Sequence, residues 1–164
     1  RFDIAYAQNV TGNTISQLYA NLELALPSFK PSHYFLIIGE SLTQDLEPGS
    51  IQLSSRYAGA RGFNVPDDER NFRLGFTYGF PLLYPDVGFG NVAYIRRIRL
   101  QPFFDIAYTS DPQAVSNTLK SAGAELLGDF KFGDITLGFR FARLLSGFEG
   151  KAGQFEFFIP SIRF

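Results

Sequence analysis

The stretch Asn71-Phe72-Arg73-Leu74-Gly75-Phe76-Thr77-Tyr78-Gly79-Phe80-Pro81 decides the fold. Phe72, Leu74, Phe76, Tyr78 and Phe80 take every second position, and Asn71, Arg73, Gly75, Thr77, Gly79 and Pro81 fill the places between. Successive side chains of a strand point to opposite faces, so this spacing predicts a strand with one apolar and one polar side. Residues 97–109 follow the same rule, with Ile98, Leu100, Pro102, Phe104, Ile106 and Tyr108 opposite Arg97, Arg99, Gln101, Phe103, Asp105, Ala107 and Thr109. Residues 120–132 and 135–142 alternate in turn and are joined by Gly133-Asp134, which reads as a hairpin.

Upstream, Leu18, Leu22, Leu24 and Leu26 oppose Gln17, Tyr19, Asn21 and Glu23, and a short start sets Phe2, Ile4 and Tyr6 against Asp3, Ala5 and Ala7. Residues 33–42 alternate less cleanly, because Phe35 and Ile37 fall on the side expected to be polar. With a last strand near 154–164, interrupted by a bulge or a change of facing at Phe157-Phe158-Ile159, the chain holds about eight strands. Each is close to the 9 to 11 residues, roughly, that cross a bilayer at a tilt.

Composition agrees. Among 164 residues there are 19 Phe, 8 Tyr and 16 Gly but no Trp, Met or Cys, a balance that suits pleated strands rather than helices. The absence of Cys excludes disulfides, thiol catalysis and thiolate metal sites. With 15 Lys and Arg against 16 Asp and Glu the net charge is −1, which argues against nucleic acid as a partner. No apolar run is long enough for a membrane-spanning helix. Because Arg1 falls inside an alternating pattern, the chain is expected to be a processed or excised piece.

Alternation alone does not separate a soluble sandwich from a membrane barrel. The polar side does, since it carries Arg73, Arg97, Arg99, Asp105, Glu125, Asp129, Lys131 and Arg140. A hydrated lumen can pair such charges, whereas a closed ligand cavity would strip them of water. The connections at 27–32 and 133–134 are short, those at 9–13, 45–70, 110–118 and 145–153 are mostly longer, and the apolar stretch 82–95 breaks the rule. Short turns on one side and long loops on the other fit an antiparallel transmembrane β-barrel, with both termini periplasmic. Residues 1–164 are then one barrel domain, with 45–70 as a long extracellular or lumenal loop.

At Ala60-Arg61-Gly62-Phe63 the sequence resembles the V-R-G-F motif of the BamA superfamily of outer-membrane assembly and secretion barrels, which includes bacterial surface antigens. Downstream, Phe80-Pro81 ends a strand, and Pro102-Phe103-Phe104-Asp105-Ile106-Ala107 resembles the family's aromatic-x-Asp-x-Gly strand. Ser121-Ala122-Gly123 opens the next strand, and Gln154-Phe155-Glu156-Phe157 begins the last. Ala60 stands where the family has Val, and Ala107 where Gly is usual. The resemblance covers about residues 55–164. It implies the C-terminal half of a sixteen-stranded barrel in the bacterial outer membrane, acting in outer-membrane protein insertion or protein translocation. It also implies that the motif loop enters the lumen and that Arg61 meets Asp105, with Gly62 allowing the turn and Phe63 acting as a wedge. Asp105 is expected to accept from Arg97 or Arg99 as well. Phe158, Ile162 and the terminal Phe164 resemble the C-terminal signal that such proteins present for assembly. The implied partners are outer-membrane lipid, other outer-membrane or periplasmic assembly proteins, and the missing N-terminal half.

No enzyme, cofactor or metal site is expected. His33 is the one His, and it is placed near a strand start at the membrane interface; Asp67-Asp68-Glu69 lacks spaced calcium ligands, and Gly88-Phe89-Gly90 lacks the setting of a nucleotide fingerprint. Two other readings stay open: a self-contained eight-stranded membrane barrel with a structural or surface-binding role, and a soluble ligand-binding barrel.

Overall fold

The computed structural model describes residues 1–8, 16–44, 57, 59–63, 69–90, 93–110, 116–130, 135–146 and 154–161. These residues form β1 (Phe2–Gln8), β2 (Ser16–Pro27), β3 (Tyr34–Gln44), β4 (Arg70–Leu83), β5 (Val87–Phe89), β6 (Ala93–Ser110), β7 (Asn117–Phe130), β8 (Ile135–Ser146) and β9 (Gln154–Ser161). All belong to one antiparallel sheet, ordered β1-β2-β3-β4-β6-β7-β8-β9, with β5 attached to β6. The all-β antiparallel class is as expected. The sheet is open: among the described residues β1 and β9 each pair on one side only.

Eight of the strands match the alternating segments. The ninth, β5, lies in the apolar stretch 82–95 and pairs Val87 with Ile95 and Phe89 with Ala93. Three residues are too few to show a period, so the sequence pattern passes over them. The bends needed to fold β5 back come from Asp86 and Gly90, both at positive φ (50° and 58°).

Burial is inverted relative to a water-soluble sheet. On β4 the buried residues include Asn71, Arg73 and Thr77, while Phe72 and Phe76 on the other side are 48% and 41% exposed. On β6, Gln101, Asp105 and Thr109 are buried and Phe104 and Tyr108 are exposed. The register carries this across the sheet, since Ile37 pairs with Phe76, Phe76 with Phe104, and Glu40 with Arg73.

Facing in β3 differs from the expectation. Phe35 and Ile37 share the exposed side with Tyr78 and Phe76, and Glu40 and Leu42 are buried. The start of β3 is apolar on both sides, because Leu36 and Ile38 line the inner cavity, and so its pattern is blurred. Near the C-terminus, Gly138 pairs with Phe158 but Thr136 with Ser161, so three steps of β9 run against two of β8. That is a bulge just beyond Phe158. Residues of both β3 and β9, including Leu36, Ile38, Glu156 and Phe158, line a single cavity of about 670 Å³, so the sheet curls around its buried side.

Candidate functional site

The buried side is organised around Asp105. β6 carries this carboxylate between Phe103 and Ala107 with no exposure at all, and a charge so far from water requires partners. Its register partner on β4 is Gly75, where an added Cβ would stand 2.8 Å from Asp105 Oδ1. Gly75 therefore clears the space that the carboxylate fills.

The 45–70 connection supplies the main partner. Ala60 to Phe63 form a turn closed by Phe63 N donating to Ala60 O at 3.1 Å, with Gly62 at φ +88°. Positive φ at the third position is the mark of a type II turn and favours glycine. Space demands glycine too, because a Cβ on Gly62 would lie 2.7 Å from the Ala142 Cβ of β8. The turn aims Arg61 at Asp105: its Nε and backbone N donate to Oδ2 at 2.8 and 2.9 Å, and its Nη2 donates to Oδ1 at 2.8 Å. This is the two-pronged geometry that a guanidinium allows and an ammonium does not.

The rest of the guanidinium is also engaged. Nη2 donates to Thr77 Oγ1 at 3.0 Å and Nη1 to Glu125 Oε1 at 3.3 Å, and the guanidinium carbon lies 3.8 Å from the centre of the Phe103 ring. Burial disfavours the charge on Arg61, but the Asp105 and Glu125 carboxylates outweigh it and hold the pKa above the ordinary value. Apolar contacts pin the loop on both sides. Ala60 and Phe63 pack with Ala107 and Leu119, and Tyr57 packs with Tyr19 and Leu42. Burial, helped by nearby Glu40, pushes the Tyr57 hydroxyl pKa up.

From this centre, ion pairs run along the sheet in both directions. Arg73 donates to Asp105 at 3.2 Å and to Glu40 at 3.1 Å, and Glu40 accepts from the Tyr19 hydroxyl at 3.4 Å. On the other side Arg140 donates to Glu125 at 2.8 Å and Glu156 at 2.9 Å, and lies 4.5 Å from the centre of the Phe158 ring. The alternating series Glu40, Arg73, Asp105, Arg61, Glu125, Arg140, Glu156 thus reaches from β3 to β9.

The structure brings Arg61 and Asp105 together and sets Gly62 and Phe63 in the same turn. Phe158 lies on the inner side beneath Arg140. Ile162 and Phe164 lie outside the described residues, as do Asp67, Asp68, Gly133 and Asp134. The second partner of Asp105 is a correction: it is Arg73, whereas Arg97 and Arg99 both donate to Asp129, Arg99 at 2.7 Å. Arg99 is six strand positions from Asp105, roughly 20 Å along the chain, and a shared face does not bring it within reach. Arg73, Glu40, Glu125 and Arg140 were not legible as partners without the register. A two-residue turn at 133–134 would set Glu125 opposite Ala142; the register instead pairs Phe130 with Ile135 and so Glu125 with Arg140.

His33, just before β3, lies 5.6 Å from the Phe80 ring in a stack, and its Nδ1 shares a 2.7 Å hydrogen bond with the Tyr78 hydroxyl. Among the described residues no His, Asp and Glu side chains are grouped to hold a metal ion. What the arrangement does is mechanical: it fastens a long loop to the inner wall through one arginine whose three guanidinium nitrogens all donate. Compared with protein-family models, with curated proteins and with solved structures, the chain matches none.

Proposed function

We propose that this chain is part of an outer-membrane β-barrel, the C-terminal half of a sixteen-stranded barrel of the BamA type that its motifs resemble, acting in outer-membrane protein insertion or protein translocation. The inverted burial carries the membrane part of this reading. A sheet that hides Arg73, Asp105 and Glu125 while exposing Phe72, Phe76, Phe104, Phe139 and Phe141 is stable where the outer side meets hydrocarbon and the inner side meets water. On β4 the apolar residues of the exposed side run from Phe72 to Phe80 in eight steps; at about 3.4 Å per step and a tilt of 35–45° this spans roughly 19 to 22 Å, against about 25 Å for the apolar belt of such barrels. A soluble ligand-binding barrel is disfavoured by its need for an apolar interior.

The open sheet, in which β1 and β9 each pair on one side only among the described residues, supports a half barrel over a self-contained one. The family part of the reading is supported by the Arg61–Asp105 fork, and by the two departures from the family pattern, Ala60 and Ala107, which share one buried cluster. In cells that make the full-length protein, carbonate washing is expected to leave it in the outer-membrane fraction, and its depletion to lower the amount of other assembled outer-membrane proteins or of an exported client. Release by carbonate ends the membrane reading. Retention with both amounts unchanged ends the assembly and translocation reading and leaves the self-contained barrel.

A further inference from the structure

Among the described residues the cations of the inner side are all spoken for. Arg61, Arg73, Arg97, Arg99 and Arg140 each form an ion pair. Among the described residues five other cations have no carboxylate within ion-pair range: Lys30 and Arg96, at the 28–33 end of the sheet, and Arg70, Lys120 and Arg143, which are exposed at the other end. These last three share two further properties. Each lies on the outer, apolar side of the sheet: Arg70 pairs with Thr43 and Ser110, Lys120 with Ile106, and Arg143 with Ala122. Each also stands two positions beyond an apolar outward residue, namely Phe72, Ala122 and Phe141, toward the end of the sheet that bears the 45–69, 111–116 and 147–153 connections.

The three therefore mark one rim. Arg143 and Lys120 are diagonal neighbours, roughly 7 to 8 Å apart at Cα. Along β6, the levels opposite Arg70, Lys120 and Arg143 (by way of Ala122) fall from Ser110 to Ile106 to Phe104. A descent from strand to strand is the sense of a horizontal line across tilted strands; at 35–45° that line falls by about 1 to 1.4 residues per strand against two here, which leaves the three within roughly 4 to 8 Å of one height. Three positive charges with no carboxylate partner among the described residues, gathered along one edge of an apolar face, complement a ligand that has acyl chains on the belt and a negative charge at its edge.

We propose that Arg70, Lys120 and Arg143 form a cation row that binds the phosphates of anionic lipid at the long-loop edge of the membrane. The lipid, rather than free phosphate, is the occupant, because only a molecule anchored by its chains brings phosphate to this height against an apolar wall. The proposal rests on the membrane reading above and adds a lipid class to it.

The test uses the full-length protein in bilayers of phosphatidylcholine with a small fraction of spin-labelled phosphatidylglycerol or spin-labelled phosphatidylcholine, reading by electron paramagnetic resonance the lipid held at the protein surface. Wild type is expected to prefer the anionic lipid, and R70Q/K120Q/R143Q to lower that preference at least fivefold, about the contribution of one cation near an anionic surface. R70K/R143K, which keeps the charges, is expected to retain it. Preference should weaken at 1 M salt, where charges are screened within about 3 Å, and should survive millimolar inorganic phosphate. An unchanged preference in the triple glutamine variant overturns the proposal, and so does its abolition by inorganic phosphate. Flotation with pure phosphatidylcholine vesicles separates the two levels: a protein that does not float overturns the membrane reading and the cation row together, and one that floats without preference overturns the row alone.

Discussion

Removing Arg61 should loosen the loop by an amount that removing Asp105 as well hardly increases. In the wild-type protein Asp105 accepts two side-chain bonds from Arg61, one from its backbone N and one from Arg73. Truncating one member of a buried ion pair costs about 3 to 5 kcal/mol, chiefly because the other charge is left without a partner. Asp105 keeps Arg73 at 3.2 Å, so R61A should fall at or just below the lower end of that range, about 2 to 4 kcal/mol. D105A should cost a similar amount, since Arg61 then retains Glu125 at 3.3 Å and Arg73 retains Glu40 at 3.1 Å. In R61A/D105A the orphaned charge is gone, and the cost should exceed the worse single variant by no more than about 1 kcal/mol. The measurement is a urea titration of protein folded into phosphatidylcholine vesicles, read as the fraction of heat-modifiable folded band on unboiled gels. Strict additivity, within about 0.5 kcal/mol, would refute the idea that the two residues act as one fastening.

Substituting Arg61 by Lys should lose most of what R61A loses, because an ammonium cannot hold both Asp105 oxygens, Thr77 and the Phe103 ring at once; a wild-type urea midpoint for R61K would count against the fork. G62A combines a left-handed φ with a 2.7 Å clash at Ala142 and should cost about 2 to 4 kcal/mol, part of it recovered in G62A/A142G by the same titration. F103L keeps most of the apolar volume but removes the ring beneath the guanidinium, an expected loss of about 0.5 to 2 kcal/mol. F76R places a charge in the middle of the exposed apolar side and should destabilise the protein in vesicles by about 2 to 4 kcal/mol; a neutral effect would mean that this side meets water.

Strands were legible wherever alternation ran unbroken, as in 71–81 and 97–109, because a period of two fixes both the element and its two sides. It failed at β3, where Leu36 and Ile38 on the inner side match Phe35 and Ile37 on the outer, and only Glu40 against Arg73 settles the facing. β5 was hidden for a different reason, being three residues inside a largely apolar stretch with no period of two. Of the network, the Arg61–Asp105 contact was foreseeable only through a resemblance, since 44 positions separate the two residues. Arg73 as the second partner of Asp105 follows from Gly75, whose missing side chain lets the carboxylate lean toward β4, and no local pattern announces that.

The charged series also answers a question that the apolar side leaves open. Alternation forbids a strand from slipping by one residue, since Arg73 or Asp105 would then turn outward into hydrocarbon. A slip by two keeps every apolar residue outside, and the outer side, Phe after Phe, would barely register it. On the inner side the same slip parts Glu40 from Arg73, Glu125 from Arg140 and Arg140 from Glu156, three pairs that face each other directly across neighbouring strands. Charges without partners would replace them, at several kcal/mol for the buried Glu40–Arg73 pair and less for the more exposed Arg140–Glu156 pair. The aromatic side therefore selects the parity of the register and the ionic side selects the register itself. The Arg61 loop can find its fork only after that choice is made, because Asp105, Thr77, Glu125 and Phe103 come from three strands and converge in one register alone.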